Sequence, residues 1–152
     1  DEIKDDVQQG NNVGFLTLGD PSVYSTFSYL ADILIPVIDV QTIAGISSFS
    51  QIAASLSIPL MLDEESLEVV PATADKEKLA KVIDLNDNVV IMKIATNFKK
   101  VYQILKERKL LDKTVIVENA SMANQRVQRL TEYSADDQLP YFSTALLKKK
   151  EA

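Results

Sequence analysis

"VVIMKIA", residues 89–95, is a nearly continuous apolar run, and its reading decides the fold. Strands covered on both faces read this way, whereas half-solvated strands alternate. Working outward, "LEVVPA" (67–72) reads as a strand before it. A helix carrying Leu79, Val82 and Ile83 lies between the two, with Asp75 placed to cap its start. Beyond the run, Asn97 is positioned to cap a helix whose stripe is Val101, Ile104 and Leu105. "TVIVENA" (114–120) is a further strand, Ala123, Val127 and Leu130 line a helix after it, and "YFSTALL" (141–147) is a last strand.

The first part of the chain shows the same alternation. "VGFLTL" (13–18) reads as a strand, and Val23, Phe27, Leu30 and Leu34 then recur at the spacing of a buried helical stripe. "PVIDVQTI" (36–43) reads as a second strand, followed by a helix bearing Phe49, Ile52, Ala53 and Leu56 and closed by Pro59. Strands alternating with helices imply right-handed crossovers and largely parallel sheets. The expected class is α/β: two small α/β domains with mostly parallel or mixed sheets, the first incomplete. Their expected limits are 1–58 and 67–152, with a linker at 59–66. No heptad pattern, no short repeat, no G-x-G-x-x-G and no Walker loop is present.

With 152 residues, 46% hydrophobic and 25% charged, the chain is long enough to bury a core and has the balance of a globular protein. No apolar run reaches the ~20 residues that span a bilayer. Cysteine and histidine are both absent. Their absence excludes disulfides, thiolate metal sites, a Ser-His-Asp triad and a haem held by histidine within this chain. A net charge of −6 argues against a general nucleic-acid binder. The one basic cluster, Lys148, Lys149 and Lys150, reads as a solvated strand end. The opening residues read as the tail of a helix, with Ile3 and Val7 one turn apart and Gly10 as its stop. Because the chain does not open on Met, a preceding segment is expected to have been removed.

Ligands of open α/β sheets bind outside the carboxyl ends of strands, so the residues just past each strand carry the functional reading. In Gly19-Asp20-Pro21, Asp20 can cap a helix, Pro21 suits its first position, and Gly19 tolerates the turn. The same loop could let a ligand approach the backbone closely. "AGISS" (44–48) offers Ser47 as an N-cap and Ser47 with Ser48 as hydroxyl partners for a ligand. Met92 suits the core, and Glu118 and Asn119 are polar residues ending a buried strand. Physics alone leaves both readings open at each of these places.

Taken together, "VGFLTLGDPSVYSTFSYL", "IAGISSFSQIAASLSIPL", "VVIMK" and "VIVENASMANQRV" resemble, in order, the loops and strand ends of the tetrapyrrole (corrin/porphyrin) methylase family. "GDPSVYSTFSYL", "SLEVVPAT" and "YFSTALLKKK" are most similar to the branch acting at carbon 20 of precorrin-2 in cobalamin biosynthesis. The resemblance covers 13 to about 150. It departs from the family where Ala44 replaces the usual proline, and where the family's opening strand and G-x-G-P-G-D loop are missing.

The resemblance implies a cytoplasmic methyltransferase using S-adenosylmethionine, held folded between two domains, on a reduced tetrapyrrole with or without cobalt. Carried over by position, the cofactor contacts are Leu18, Gly19, Asp20, Val23, Ser47, Ser48, Met92, Asn119 and Ala120. Tyr24 is the candidate for assisting proton loss or orienting the macrocycle. No protein-bound metal, nucleic acid or membrane is implied, and a homodimer is expected. The donor is already activated, so the chemistry needs alignment rather than a histidine. Acidic charge sits awkwardly with a substrate rich in carboxylates. The fragment by itself is expected to be silent and to self-associate through uncovered apolar surface. The other readings are a methylase acting elsewhere on the ring or resembling diphthine synthase, and a non-catalytic α/β module using the lysine tail.

Overall fold

The first half of the apolar run becomes an interior strand, paired on both sides within its sheet. In the computed structural model, which describes residues 2–150, β1 is Leu67–Pro71 and β2 is Asn88–Met92. The chain divides into two compact units, Asp1–Ser48 and Phe49–Ala152.

The second unit is a five-stranded sheet, ordered β1-β2-β5-β3-β4, with β3 Thr114–Glu118, β4 Arg126–Arg129 and β5 Ser143–Lys148. β1 and β2 are parallel, Val69 opposite Val90. β5 is inserted antiparallel between β2 and β3, so that Ala145 faces Ile91 on one side and Ile116 on the other. Consequently β1, β2 and β3 all run one way, and their carboxyl ends gather at one edge of the sheet. Asn97 and Asp75 stand at the entrances to α5 (Phe98–Glu107) and α4 (Lys76–Leu85), as their positions in sequence suggest. Asp75 accepts a hydrogen bond from the Lys78 amide at 2.7 Å, whereas Asn97 makes no side-chain cap and α5 is entered through the 3-10 turn Ile94–Asn97.

Alternation along the strands sends side chains to two cores. On one face Val70, Val89, Ile91, Ile116, Ala145 and Leu147 pack with Leu79 and Ile83 of α4 and Val101, Ile104 and Leu105 of α5. On the other, Val90, Val117 and Leu146 pack with Ile52 of α3 (Ser48–Ser55). Each fully buried valine, leucine or isoleucine among these contributes about 1.5–3 kcal/mol. The α3 stop comes before Pro59. Ser57 turns left-handed at φ 54°, and the Ile58 amide reaches back to the Ala53 carbonyl at 2.9 Å, closing the helix end. The residues expected as a linker, 59–66, lie in this unit, where the Pro59 carbonyl accepts from Lys148 Nζ at 2.8 Å and Glu65 accepts from Asn88 at 2.9 Å.

The sheet is mixed, one of the two forms expected, because β5 returns between β2 and β3 and is antiparallel to both. One expectation for this unit is corrected. The helix expected through Ala123, Val127 and Leu130 is instead a turn, β4 and the 3-10 turn Leu130–Glu132. β3 would otherwise expose a row of unpaired backbone groups, and pairing Val115 with Arg129 through Glu118 with Arg126 satisfies them. The lysine tail is no free basic arm either. Lys148 lies in β5 with its side chain 15% exposed, 3.6 Å from Glu65, while Lys149 donates to the Asp84 carbonyl and Lys150 pairs with Asp87.

The first unit holds α1 (Glu2–Gln8), stopped by left-handed Gly10 as expected, and α2 (Phe27–Leu34). Neither 13–18 nor 36–43 forms a strand. A strand exists only through a partner's hydrogen bonds, and among the described residues of this unit none pairs with these segments. The stripe from Val23 is also shorter than expected, since α2 begins only at Phe27. Asp20 engages Ser22 locally and Tyr24 is left-handed at φ 50°, and both divert the backbone from a helix.

Candidate functional site

In the first unit, Asp20 is a junction between two loops rather than a helix cap. Its Oδ1 accepts the Ser22 amide at 2.8 Å and also the Ser22 hydroxyl, while Oδ2 accepts the Gly45 amide at 3.1 Å. These donors hold its carboxyl below the ordinary value of 3.8, the Ser22 hydroxyl contributing most. The Val23 amide closes the turn on the Asp20 carbonyl at 3.1 Å.

Gly19 is left-handed at φ 76°, and a Cβ added to Gly45 would run into the Gly19 carbonyl oxygen. The loops of residues 18–23 and 44–48 are therefore clasped backbone to backbone, which only glycine at position 45 permits. Leu18 stands exposed beside the clasp. Ser47 immediately precedes α3 and Ser48 is its first residue. Gly45 is the residue sequence reasoning passed over. Its signal was a glycine inside a loop already singled out.

In the second unit the positions carried over fall at the gathered carboxyl ends of β2 and β3. Met92 ends β2, half-buried, and the next residue, Lys93, is left-handed at φ 55°. Asn119 follows β3 with φ 50°, its amide donating to the Phe142 carbonyl at 2.7 Å and its carbonyl accepting the Met122 amide at 3.0 Å. Met92 and Ala120 pack against the same apolar cluster, that of Val90, Val117 and Leu146. The structure thus brings Met92 and Ala120 together on one face, with Asn119 turning the backbone beside them. Glu118 points to the opposite face, where its Oε1 accepts the Tyr133 hydroxyl at 2.9 Å.

Left-handed non-glycine residues such as those just past β2 and β3 are uncommon, and such positions concentrate at functional sites. The clasped glycine loop of the first unit offers backbone at close approach. Among the described residues, no group of acidic side chains is arranged to hold a metal ion, and no helix is long and apolar enough to cross a membrane.

Comparison with known proteins bears on the chain as a whole. The family model for Tetrapyrrole (Corrin/Porphyrin) Methylases matches residues 1–136. A cobalt-precorrin-2 C(20)-methyltransferase of Salmonella typhimurium is 32% identical over 146 residues, covering 95% of this chain and 62% of the relative. Among solved structures, a cobalt precorrin-4 methyltransferase of cobalamin biosynthesis superposes with a TM-score of 0.80 at 17% identity, over 97% of this chain and 68% of its own. A uroporphyrin-III C-methyltransferase from Thermus thermophilus, solved with S-adenosylhomocysteine, gives 0.61 at 19% identity, over 86% and 63%.

Proposed function

This chain belongs to the tetrapyrrole (corrin/porphyrin) methylase family, and on that premise we propose that it serves methyl transfer from S-adenosylmethionine to carbon 20 of precorrin-2 or its cobalt form. The likeness to the Salmonella relative, running through nearly all of this chain, carries the reading. The chain spans 62% of that relative's length, so activity and substrate are proposed for the protein to which these residues belong. On the same reading that protein is a cytoplasmic homodimer taking a reduced tetrapyrrole.

The proposed donor contacts are Leu18, Gly19, Asp20, Val23, Ser47 and Ser48 in the first unit and Met92, Asn119 and Ala120 in the second. The clasp of Gly19 and Asp20 with Gly45 holds backbone groups in fixed positions, and Met92 with Ala120 supplies an apolar wall. In the reaction, the electron pair of the ring carbon forms the new C–C bond and the S–CH₃ bond breaks. S-adenosylhomocysteine leaves and the ring gives up a proton. The work of the protein is to align and enclose, which accounts for a site without histidine. Tyr24, held left-handed beside the clasp, is proposed to orient the macrocycle.

The test joins binding to product. Calorimetry is expected to detect S-adenosylhomocysteine, with affinity reduced several-fold or more by Asp20→Ala and by Ala120→Phe. Unchanged affinity in both variants would overturn the contact assignment. Mass spectrometry and NMR of the product from precorrin-2 are expected to place the methyl group on carbon 20. A methyl at another ring carbon, or on diphthine alone, would replace this substrate with that one.

A further inference from the structure

Glu118 is a carboxylate with 6% exposure at the end of a core strand, where packing alone would favour an apolar side chain. It is the last residue of β3 paired on both sides, with Arg126 in β4 and Ser143 in β5. One residue later the backbone becomes left-handed at Asn119 and the turn 119–122 begins. The Tyr133 hydroxyl donates to Glu118 Oε1 at 2.9 Å, from within the same core.

Tyr133 is itself fixed on several sides. Its ring meets Phe98 edge-on at 5.8 Å, the Arg126 guanidinium lies 6.0 Å from its centre, and its amide donates to the Leu130 carbonyl. Phe98 opens α5, directly after the 3-10 turn that leaves β2. Burial pushes the Tyr133 phenol above its ordinary value of 10.0, with the bond to Glu118 adding to the effect, so the hydroxyl stays protonated as a donor.

We infer that Tyr133 is a positioning residue: through its bond to Glu118 it fixes the end of β3 and so the left-handed turn presenting Asn119 and Ala120 to the methyl donor. The inference rests on the donor contacts proposed above. A phenylalanine at 133 would fill the same space and keep the contact with Phe98. It would leave the Glu118 carboxylate buried without its donor, and the last residue of β3 would gain by turning outward.

Amide hydrogen exchange on the 152-residue chain separates this role from simple packing. In Tyr133→Phe, the amides of Asn119 and Met122 are expected to exchange at least about tenfold faster, while Val117 within β3 keeps its protection. Equal protection at Asn119 and Met122, or acceleration shared evenly by Val117, would overturn the inference. If Tyr133→Phe fails to fold, the pair Glu118→Gln and Glu118→Met carries the test. The glutamine keeps an acceptor and is expected to retain protection, the methionine to lose it, and identical behaviour would overturn the inference.

A binding arm keeps the two readings apart. Where the parent chain binds S-adenosylhomocysteine, Tyr133→Phe is expected to bind roughly tenfold more weakly, and equal affinity despite a loosened turn would overturn the donor-positioning role. A parent chain that does not bind it counts against the donor contacts, while exchange still decides whether Tyr133 holds the turn.

Discussion

At the scale of single residues, the clasp around Asp20 makes the sharpest demands. Two glycines close in sequence terms to the same loop system behave in opposite ways. Position 14 has open space around an added Cβ, whereas position 45 has the Gly19 carbonyl in the way. Gly14→Ala is therefore expected to be neutral to within about 0.5 kcal/mol. Gly45→Ala is expected to cost about 1–3 kcal/mol locally, as overpacking against backbone does. The readout is exchange at the Ser22 and Gly45 amides, both of which donate to Asp20, together with loss of S-adenosylhomocysteine binding, and a Gly45→Ala protein unaffected in both would show that the clasp holds neither loop. Asp20 adds a pH dependence whose sign is fixed. Its folded-state pKa is depressed, so its contribution is present above the ordinary value of 3.8 and disappears as pH falls through the lower folded value. The Ser22 and Gly45 amide resonances are expected to stay constant down to about pH 4 and shift below it. In Asp20→Asn that transition is expected to vanish.

At the scale of elements, what could be read from sequence was whatever is encoded locally. Leu79, Val82 and Ile83 recur at helical spacing behind an aspartate, and α4 forms there with Asp75 as its cap. Phe49, Ile52 and Leu56 likewise mark α3 and the face it buries. What was hidden depends on partners far away in sequence. Ala123, Val127 and Leu130 carry a helical spacing across the segment that contains β4, and only the open edge of β3 makes that segment a strand. Residues 13–18 have a strand's composition and, among the described residues, no strand to pair with, so composition misled. The site shows the same division: the strand-end loops were legible as loops, but the Asp20–Gly45 bond spans 25 positions and no local pattern announces it. Elements also meet through one forked ion pair, Arg108 at the end of α5 gripping Asp84 of α4 at 2.6 and 2.8 Å. Asp84 is half-exposed, so the pair is worth only about 0.5–1 kcal/mol. Arg108→Lys keeps the charge and loses the fork. It is expected to cost a few tenths of a kcal/mol, roughly half the loss in Arg108→Ala, by thermal unfolding at pH 7. The Asp84 carboxyl is held below 3.8 chiefly by its bond to Arg108, so this difference is expected to close as pH falls through that lower value.

At the scale of the whole molecule, the two units differ in how they treat apolar surface. The sheet unit buries its β-branched strands on both faces, and almost every large aliphatic residue of β2, β3 and β5 is inside. The first unit instead leaves Leu16 at 95% and Ile43 at 80% exposure, both within segments of strand-like composition that pair with nothing among the described residues. Unpaired backbone next to exposed aliphatic side chains favours association with another copy, since both deficits are satisfied at once. Sedimentation velocity on the 152-residue chain is expected to show mass that grows with concentration. Leu16→Lys together with Ile43→Lys is expected to shift the distribution towards monomer at pH 7, because two buried charges per contact are costly. Neither position contributes to the sheet, so the main thermal unfolding step is expected to stay within a few degrees of the parent. A parent chain that sediments as a single monomer over a tenfold or wider concentration range would show that these residues drive no association. Loss of the sheet's unfolding step in the double variant would show that the first unit supports the second.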